Sequence, residues 1–356
     1  MDFILPVLYC ALILAFKIPL EILAYFTSFF FKNGQLPPTL LQRITTSVIK
    51  SAQLCLPVWL LRKIVSFGVF GRIPHEQQKH WVKKLDATNE QDGWEGYLIA
   101  DNVEYSEIGR DVDMIIIYAH GGGFVFGDAL GYLKTFIDWI KAWELGYGAN
   151  TQILSLEYRL SPDHSFPVAR DNFLACYEWL VTEKKISPSK IAFAGDSAGG
   201  NLAVVSAIHL VNQSYTDPPA ALLLISPCLS GLTTTKSFTD NASYDCINLT
   251  WFHRCLDAYI GDSNLLPTCP MISPVLESQL SGLPKVWACA GSYEVMLDDI
   301  TLFIEKLLQN NVKAELAVED ANVHDYAVLK ILSRNGAYDN SIKRMGKFLY
   351  GGKINE

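Results

Sequence analysis

KIAFAGDSAGGNL, residues Lys190 to Leu202, joins a short apolar run to a helical one. Ile191 to Ala194 has the composition of a buried strand, and Asn201 to Ile208 that of a helix packed on a sheet. Between them Gly195-Asp196-Ser197-Ala198-Gly199 is a Gly-x-Ser-x-Gly turn, with small residues on both sides of the serine. Set between a strand and a helix, that pattern reads as a nucleophile elbow, a turn too tight for larger neighbours. It lifts Ser197 above the carboxyl edge of the sheet, at the positive end of a helix dipole. The pentapeptide alone is a weak signal, because small residues also build ordinary turns; the strand before it and the helix after it give it weight.

Outward from the elbow, strands and helices alternate. Upstream, Tyr97 to Tyr105 alternates as an early strand should, and Asp113 to Ala119 (DMIIIYA) is the continuous apolar run of a strand buried on both faces. Tyr132 to Trp143 has a helical pattern, Gln152 to Tyr158 is a further strand, and Arg170 to Glu183 a helix. Downstream come strands at Ala220 to Ile225 and Lys285 to Ala290, a helix at Ile300 to Gln309 and a late strand at Lys313 to Val318. This order predicts an α/β fold with a mostly parallel central sheet flanked by helices. Leu229 to Met271 breaks the rhythm, rich in Ser and Thr at first and then carrying Trp251, Phe252, Cys255, Leu256 and Tyr259 at helical spacing. An insertion after a strand's carboxyl end lies over the working edge of such a sheet, so about residues 229–271 are expected to form a helical cap.

His120-Gly121-Gly122-Gly123-Phe124 follows a strand end. Consecutive glycines carry a backbone entropy cost of about 0.5 to 1 kcal/mol each in regular structure. Bare backbone is useful where amides must approach a developing oxyanion. Gly121, Gly122 and Gly123, with Ala198 after the serine, are therefore the candidate oxyanion hole, in which one lost donor typically costs about 2.7 to 4 kcal/mol. A serine nucleophile needs a base, and the base an orienting carboxylate. Of the seven histidines, His324 lies in a loop after the last strand, where the third member of a Ser, acid, His order belongs. His120, His164 and His209 read as structural, and His253 in the cap is the alternative base. Glu294 falls in the first turn after the strand Lys285 to Ala290 and is the expected acid, with Asp298 as the alternative. Phe124, Phe126, Trp251 and Phe252 are candidate pocket walls, or plain core.

From Asp113 to Tyr326 the chain resembles the hormone-sensitive-lipase branch of the α/β-hydrolases. The family's HGGGF stands at His120 to Phe124, its GDSAGG at Gly195 to Gly200, and its Tyr-Arg-Leu-x-Pro-x-His-x-(Phe)-Pro segment at Tyr158 to Pro167 as YRLSPDHSFP. The acidic motif, usually Asp-Pro-Leu-x-Asp followed by an acid, appears as Glu294-Val295-Met296-Leu297-Asp298-Asp299, with Glu for Asp and Val for Pro. The resemblance implies an α/β-hydrolase fold and two-step ester hydrolysis without a cofactor or metal. In it Ser197 attacks, His324 takes the proton and Glu294 stabilises the imidazolium. A closer similarity to membrane-bound fungal steryl acetyl hydrolases and arylacetamide deacetylases implies lipophilic esters of short acids, or acylglycerols, and an endoplasmic-reticulum membrane. The alternative of another class is a ligand-binding receptor on the same fold, which the plant gibberellin receptors resemble; such proteins usually lose a triad member.

The 356 residues are 50% hydrophobic and 12% aromatic, with the surplus at the N-terminus. A net charge of -8 without a basic cluster excludes nucleic-acid binding. The eight cysteines have no metal-type spacing and read as buried thiols, with Cys246, Cys255 and Cys269 the ones placed to pair in an oxidising compartment. Phe3 to Phe31 contains only Lys17 and Glu21 as charges. As a helix it measures roughly 43 Å against the roughly 30 Å of a hydrocarbon core, with Pro6 and Pro19 expected to kink it and Lys17 placed to pair with Glu21. A mid-span lysine costs about 2.5 to 3.5 kcal/mol. A retained membrane anchor is favoured over a cleaved signal peptide, because no basic n-region or small-residue cleavage site is present; in-plane insertion is the remaining reading.

The expected organisation is an anchor at 1–32, a helical cap or membrane-proximal region at 33–95, and the α/β body at 96–356. The apolar stretch Thr39 to Phe70 is too broken to span and would lie on the membrane or pack on the body. His75 to Asp92 reads as helix plus linker. Lys32, Arg43 and Lys50 after the anchor argue for a cytosolic body, whereas Asn212, Asn241 and Asn248 head acceptor triplets that would be glycosylated in a luminal one. Oligomeric state is not set by the sequence.

Overall fold

The computed structural model describes residues 4–28, 36–66, 73–86, 94–213 and 218–351. The expectations for Lys32, Phe67, Phe70, Asp92 and Ser214 lie outside these described residues. The strands are β1 (Val82–Asp86), β2 (Glu95–Ile99), β3 (Met114–Ala119), β4 (Thr151–Glu157), β5 (Ile191–Asp196), β6 (Ala221–Ile225), β7 (Lys285–Gly291) and β8 (Ala314–Glu319). They form one sheet in the order β1-β2-β4-β3-β5-β6-β7-β8. β2 pairs antiparallel with β1 and β4, and every other pairing is parallel.

The N-terminal helices are α1 (Ile4–Ser28), α2 (Leu40–Cys55), α3 (Val58–Ser66) and α4 (His75–Trp81). The body adds α5 (Leu133–Tyr147), α6 (Val168–Thr182), α7 (Ser197–Asn212), α8 (Lys236–Asp240), α9 (Leu249–Ile260), α10 (Leu297–Gln309) and α11 (Ala337–Tyr350). On β3, Ile115 and Ile117 belong to the buried cluster that includes Phe173 of α6, Ala203 of α7 and Phe303 of α10. The alternate residues Ile116 and Tyr118 pack with Phe136 and Trp139 of α5 and Met345 of α11. A strand sandwiched this way has no polar face, which is why its sequence is an unbroken apolar run.

Four features differ from expectation. The early strand expected over Tyr97 to Tyr105 is β2, which starts at Glu95 and ends at Ile99, with Asp101 to Tyr105 in a turn. Val82–Asp86, read as linker, is the antiparallel edge strand β1, register-paired Val82 to Ile99 through Asp86 to Glu95. Its lysines hide the strand pattern and are the residues that keep an exposed edge from pairing with another chain. α2 is turned inside out: Gln42, Thr46, Ser47, Ser51 and Gln53 are buried, while Leu41, Val48 and Leu54 are exposed. Its polar face is satisfied at the start by a reciprocal cap between Thr39 and Gln42 and by Gln42 Nε2 donating to the Ala321 and Leu332 carbonyls, at 3.1 and 2.9 Å. Finally, α1 continues through Pro19, and Glu21 pairs with Arg43 of α2 at 3.3 Å and accepts from Ser47 at 3.2 Å, in place of the expected Lys17.

All eight cysteines are free, so Cys246, Cys255 and Cys269 form no disulfide. The side chain of Asn248 caps α9 by accepting from Trp251 N at 3.2 Å, and the amide of Asn241 donates to the carbonyls of Ser292 and Glu294. Asn241 and Asn248, two of the three asparagines heading those triplets, therefore have structural work in the fold.

Candidate active site

Register brings the catalytic-type loops to one edge. Ala119 lies opposite Gly195, and Ile225 lies beside both Asp196 and Cys289, so the chain leaves β3, β5, β6 and β7 on the same side. Ser197 begins α7 at φ +50°, the left-handed conformation an elbow forces on its central residue. The glycine loop turns through φ +111° at Gly122 and +61° at Gly123, with Phe124 also left-handed at +66°. Gly122 is where a glycine is needed, since a Cβ there would overlap the Phe126 carbonyl.

Asp196 is the strut between the two motifs. Its buried carboxylate accepts from Tyr118 OH at 2.6 Å, Tyr132 OH at 2.9 Å and Gly121 N at 3.0 Å. The Gly121 amide is thus already engaged, which corrects its place among the expected oxyanion donors. Gly122, Gly123 and Ala198 line a cavity of about 120 Å³ together with Ser197 and His324. Phe124, Phe126, Trp251 and Phe252 line the same cavity, joined by Ile49 and Gln53 of α2 and Val65 of α3. The N-terminal helices are therefore part of its wall. Arg62 on α3 locks them to the glycine loop, donating to the carbonyls of Val125 and Ser161 at 2.7 Å each.

Glu294 and His324 are buried and adjacent, with Glu294 Oε2 3.4 Å from His324 Nδ1. Glu294 Oε1 accepts from Ser226 Oγ at 2.5 Å and Gly291 N at 2.6 Å. Asp298, the alternative acid, instead accepts from Ser237 N at 2.8 Å. His253, the alternative base, is exposed on α9 and does not line the cavity, and His120 is buried with Nδ1 2.8 Å from the Gly121 carbonyl.

Three further partners surround the pair, two of them not legible in the sequence. Ser226 Oγ bridges the loops of Glu294 and His324, donating to Glu294 and accepting from Asp325 N at 3.1 Å. Asp245, fully buried in the insertion, accepts from Val295 N at 2.8 Å, His324 N at 3.0 Å and Cys246 N at 2.7 Å, tying the residue after Glu294 to His324. Asp325 places Oδ2 3.3 Å from His324 Nε2. No motif marks Ser226 or Asp245, since only the closed fold brings them to the loops they join. Asp325, next to the histidine, was the one visible clue.

The charges interact strongly. Burial weakens the acidity of Glu294 and raises Asp325 well above the ordinary carboxylate range. Burial alone would lower His324, but Asp325, then Glu294 and Asp245, outweigh it and push the imidazole up to about 10. Among the described residues no cluster of His, Cys, Asp and Glu is arranged to hold a metal ion.

Comparisons with known proteins agree with the fold. The α/β-hydrolase fold family matches residues 116–328, more than half of the chain. A carboxylesterase of Mycobacterium tuberculosis is 32% identical over 245 residues, covering 66% of this chain and 73% of its own. An acetyl-hydrolase of Streptomyces hygroscopicus is 29% identical over 197 residues, 55% of this chain and 62% of its own. A crystal structure of a hormone-sensitive lipase from a metagenome library superposes with a TM-score of 0.71 at 25% identity, over 87% of this chain and 97% of its own. The chain belongs to the α/β-hydrolase fold family, in the branch of the hormone-sensitive-lipase-type esterases.

Proposed function

We propose that this chain hydrolyses lipophilic carboxylic esters of short acids, with Ser197 as nucleophile, His324 as base and Glu294 as the carboxylate behind it. The observation that carries the reading is the convergence of four loops: Ser197, His324 and the glycine loop on one cavity, and Glu294 at 3.4 Å from the far nitrogen of the ring. Ser197 Oγ bonds to the ester carbonyl carbon as its proton passes to His324, and the carbonyl oxygen becomes an oxyanion facing the amides of Gly122, Gly123 and Ala198. The intermediate expels the alcohol, which takes the proton from the ring, and leaves an acyl-serine. Water attacks that ester with the same base, releasing the acid and restoring Ser197.

Proton transfer from Ser197 needs the neutral ring. The carboxylates of Asp325, Glu294 and Asp245 oppose that by favouring the imidazolium, so the reaction is expected to gain from higher pH. The apolar lining supports a lipophilic substrate, with Phe124, Phe126, Trp251 and Phe252 against its acyl or alcohol parts. Acetylated sterols are the proposed class, and acylglycerols the alternative. Membrane attachment through α1 would bring the enzyme to where such esters dissolve. An endoplasmic-reticulum address rests on family resemblance, and co-localisation of a C-terminal fluorescent fusion checks it.

The test is hydrolysis of p-nitrophenyl acetate, butyrate and octanoate by wild type and Ser197→Ala. Activity on the short esters that disappears in the variant is expected. Equal rates for the two proteins would remove Ser197 from the mechanism.

A further inference from the structure

We propose that α1 does not cross the bilayer but lies in the plane of one leaflet, carried by α2 and α3 above the catalytic cavity. This rests on the reading of α1 as a membrane segment and adds how it is held. α1 runs antiparallel along α2. Glu21 meets Arg43 and Ser47 near the start of α2, while Cys10 is buried with Leu56 beyond its end and with Leu61, Trp251 and Cys255. The stretch from Cys10 to Glu21 is about 16 Å of helix, docked at both ends. What remains is about 9 Å before Cys10 and about 10 Å after Glu21. Neither remnant approaches the roughly 30 Å needed to span.

A docked α1 could cross only by taking α2 into hydrocarbon with it. That is blocked by the polar side of α2: Gln42 is bonded to carbonyls of the body and Lys50 Nζ donates to the Ala242 carbonyl at 2.7 Å. The outward side of α1 is of the opposite kind. Leu5, Leu8, Leu12, Phe16, Leu20 and Leu23 recur every three or four residues and are each at least 55% exposed, and the helix's two charges, Lys17 and Glu21, are half-buried off this stripe. The exposed Leu41, Val48 and Leu54 of α2 and Trp59 of α3 add to the apolar surface of the N-terminal helices. A charge-free apolar stripe on a helix with an 18-residue window of mean hydropathy 2.1 fits the acyl chains of a leaflet. Because Trp251 and Cys255 both contribute to the α1 dock and line the cavity, the catalytic roof would rest at the membrane surface.

The test uses the full chain with different epitope tags at its two ends, in microsomes treated with protease with and without detergent. In-plane insertion is expected to leave both tags on the same side, cut together or protected together. One tag cut and the other protected would mean a spanning helix, and an N-terminal tag missing from the mature chain a cleaved leader; either overturns the proposal. The double variant Leu12→Glu, Phe16→Glu is then floated with phosphatidylcholine vesicles. At least a tenfold drop in the vesicle-bound fraction is expected, with hydrolysis of water-soluble p-nitrophenyl acetate unchanged and hydrolysis of a vesicle-borne ester reduced. Undiminished flotation, or a wild-type chain that self-associates and fails to float, overturns the proposal. The topology readout needs no catalysis, so it stands apart from any failure of the esterase mechanism.

Discussion

Replacing Asp325 by Asn should make the enzyme work at lower pH. The Asp325 carboxylate oxygen lies 3.3 Å from His324 Nε2. At that distance and an effective dielectric of about 20, a unit charge pair is worth about 5 kcal/mol, or roughly 3.7 pH units on the imidazole. That is large enough to account for a ring pushed from 6.5 up to about 10 against its own burial. Glu294 at the other ring nitrogen and Asp245 at the backbone of His324 remain in the variant, so the expected fall is smaller than the full pair, at least about one unit. The sign follows from the charge: losing an anion destabilises the imidazolium, the neutral base persists to lower pH, and the acid limb of kcat/KM moves down. The assay is kcat/KM for p-nitrophenyl acetate from pH 5 to 10, on folded protein verified by circular dichroism. A limb that stays in place or moves up would refute the claim that Asp325 sets the basicity of His324. Loss of activity at every pH would instead make Asp325 a required partner of the ring.

Glu294→Gln keeps the shape but removes the charge facing His324 Nδ1, so kcat should fall by roughly a thousandfold or more with KM little changed; comparable activity would pass the acid role to another carboxylate. Asp245→Asn leaves one of three N–H donors facing an amide instead of a carboxylate, with an expected loss of about 1 to 3 kcal/mol of stability, read as a lower midpoint in urea. If Asp245 also positions the base, kcat falls while KM holds; unchanged kcat would reduce it to scaffold. Burial pushes Asp299 up to about 7, above its unfolded value of 3.8, so its neutral form is favoured by folding and stability is lost as pH rises from about 4 through 7. Asp299→Asn should therefore raise the melting temperature at pH 8, with the gain vanishing below about pH 4. A gain that persists at low pH would point to packing instead.

What the sequence could reveal depended on where each element's partners lie. β3 and β6 are apolar on both faces, and the elbow carries its own steric signature, so their identity is local information. β1 is not local: VKKLD becomes a strand only because β2 presents an open edge to it. α11 was missed for a related reason. Its buried Tyr338, Ile342, Met345 and Leu349 do recur at helical spacing, but polar residues between them and Gly346, where a Cβ would strike Trp143, dilute the apolar run. The choice of Glu294 over Asp298 was made from distance past a strand, and the structure puts Glu294 beside the ring and Asp298 on Ser237. α2 defeats the reading outright. Leucines and valine that would mark a core face point outward, and the polar residues that would mark a surface are buried and bonded.

The two glycine motifs are one steric unit rather than two signals. Gly199 of the elbow sits so close to β3 that a Cβ would overlap the Ala119 carbonyl, and one on Gly195 would overlap Gly199. Any larger residue at either position would push α7 away from β3, and with it Ser197 away from the loop at Gly122 and Gly123. Close approach alone would leave that loop free to swing, and Asp196 prevents it by holding Gly121 N from below while Tyr118 and Tyr132 hold Asp196. Burial raises the pKa of Asp196, but two phenolic hydroxyls and an amide offset it by favouring the charged form. The aspartate between the glycine and the serine thus sets the distance between nucleophile and amides. Its replacement by Asn should impair acylation even though Asp196 never meets the substrate, because one of its three donors would then face an amide nitrogen.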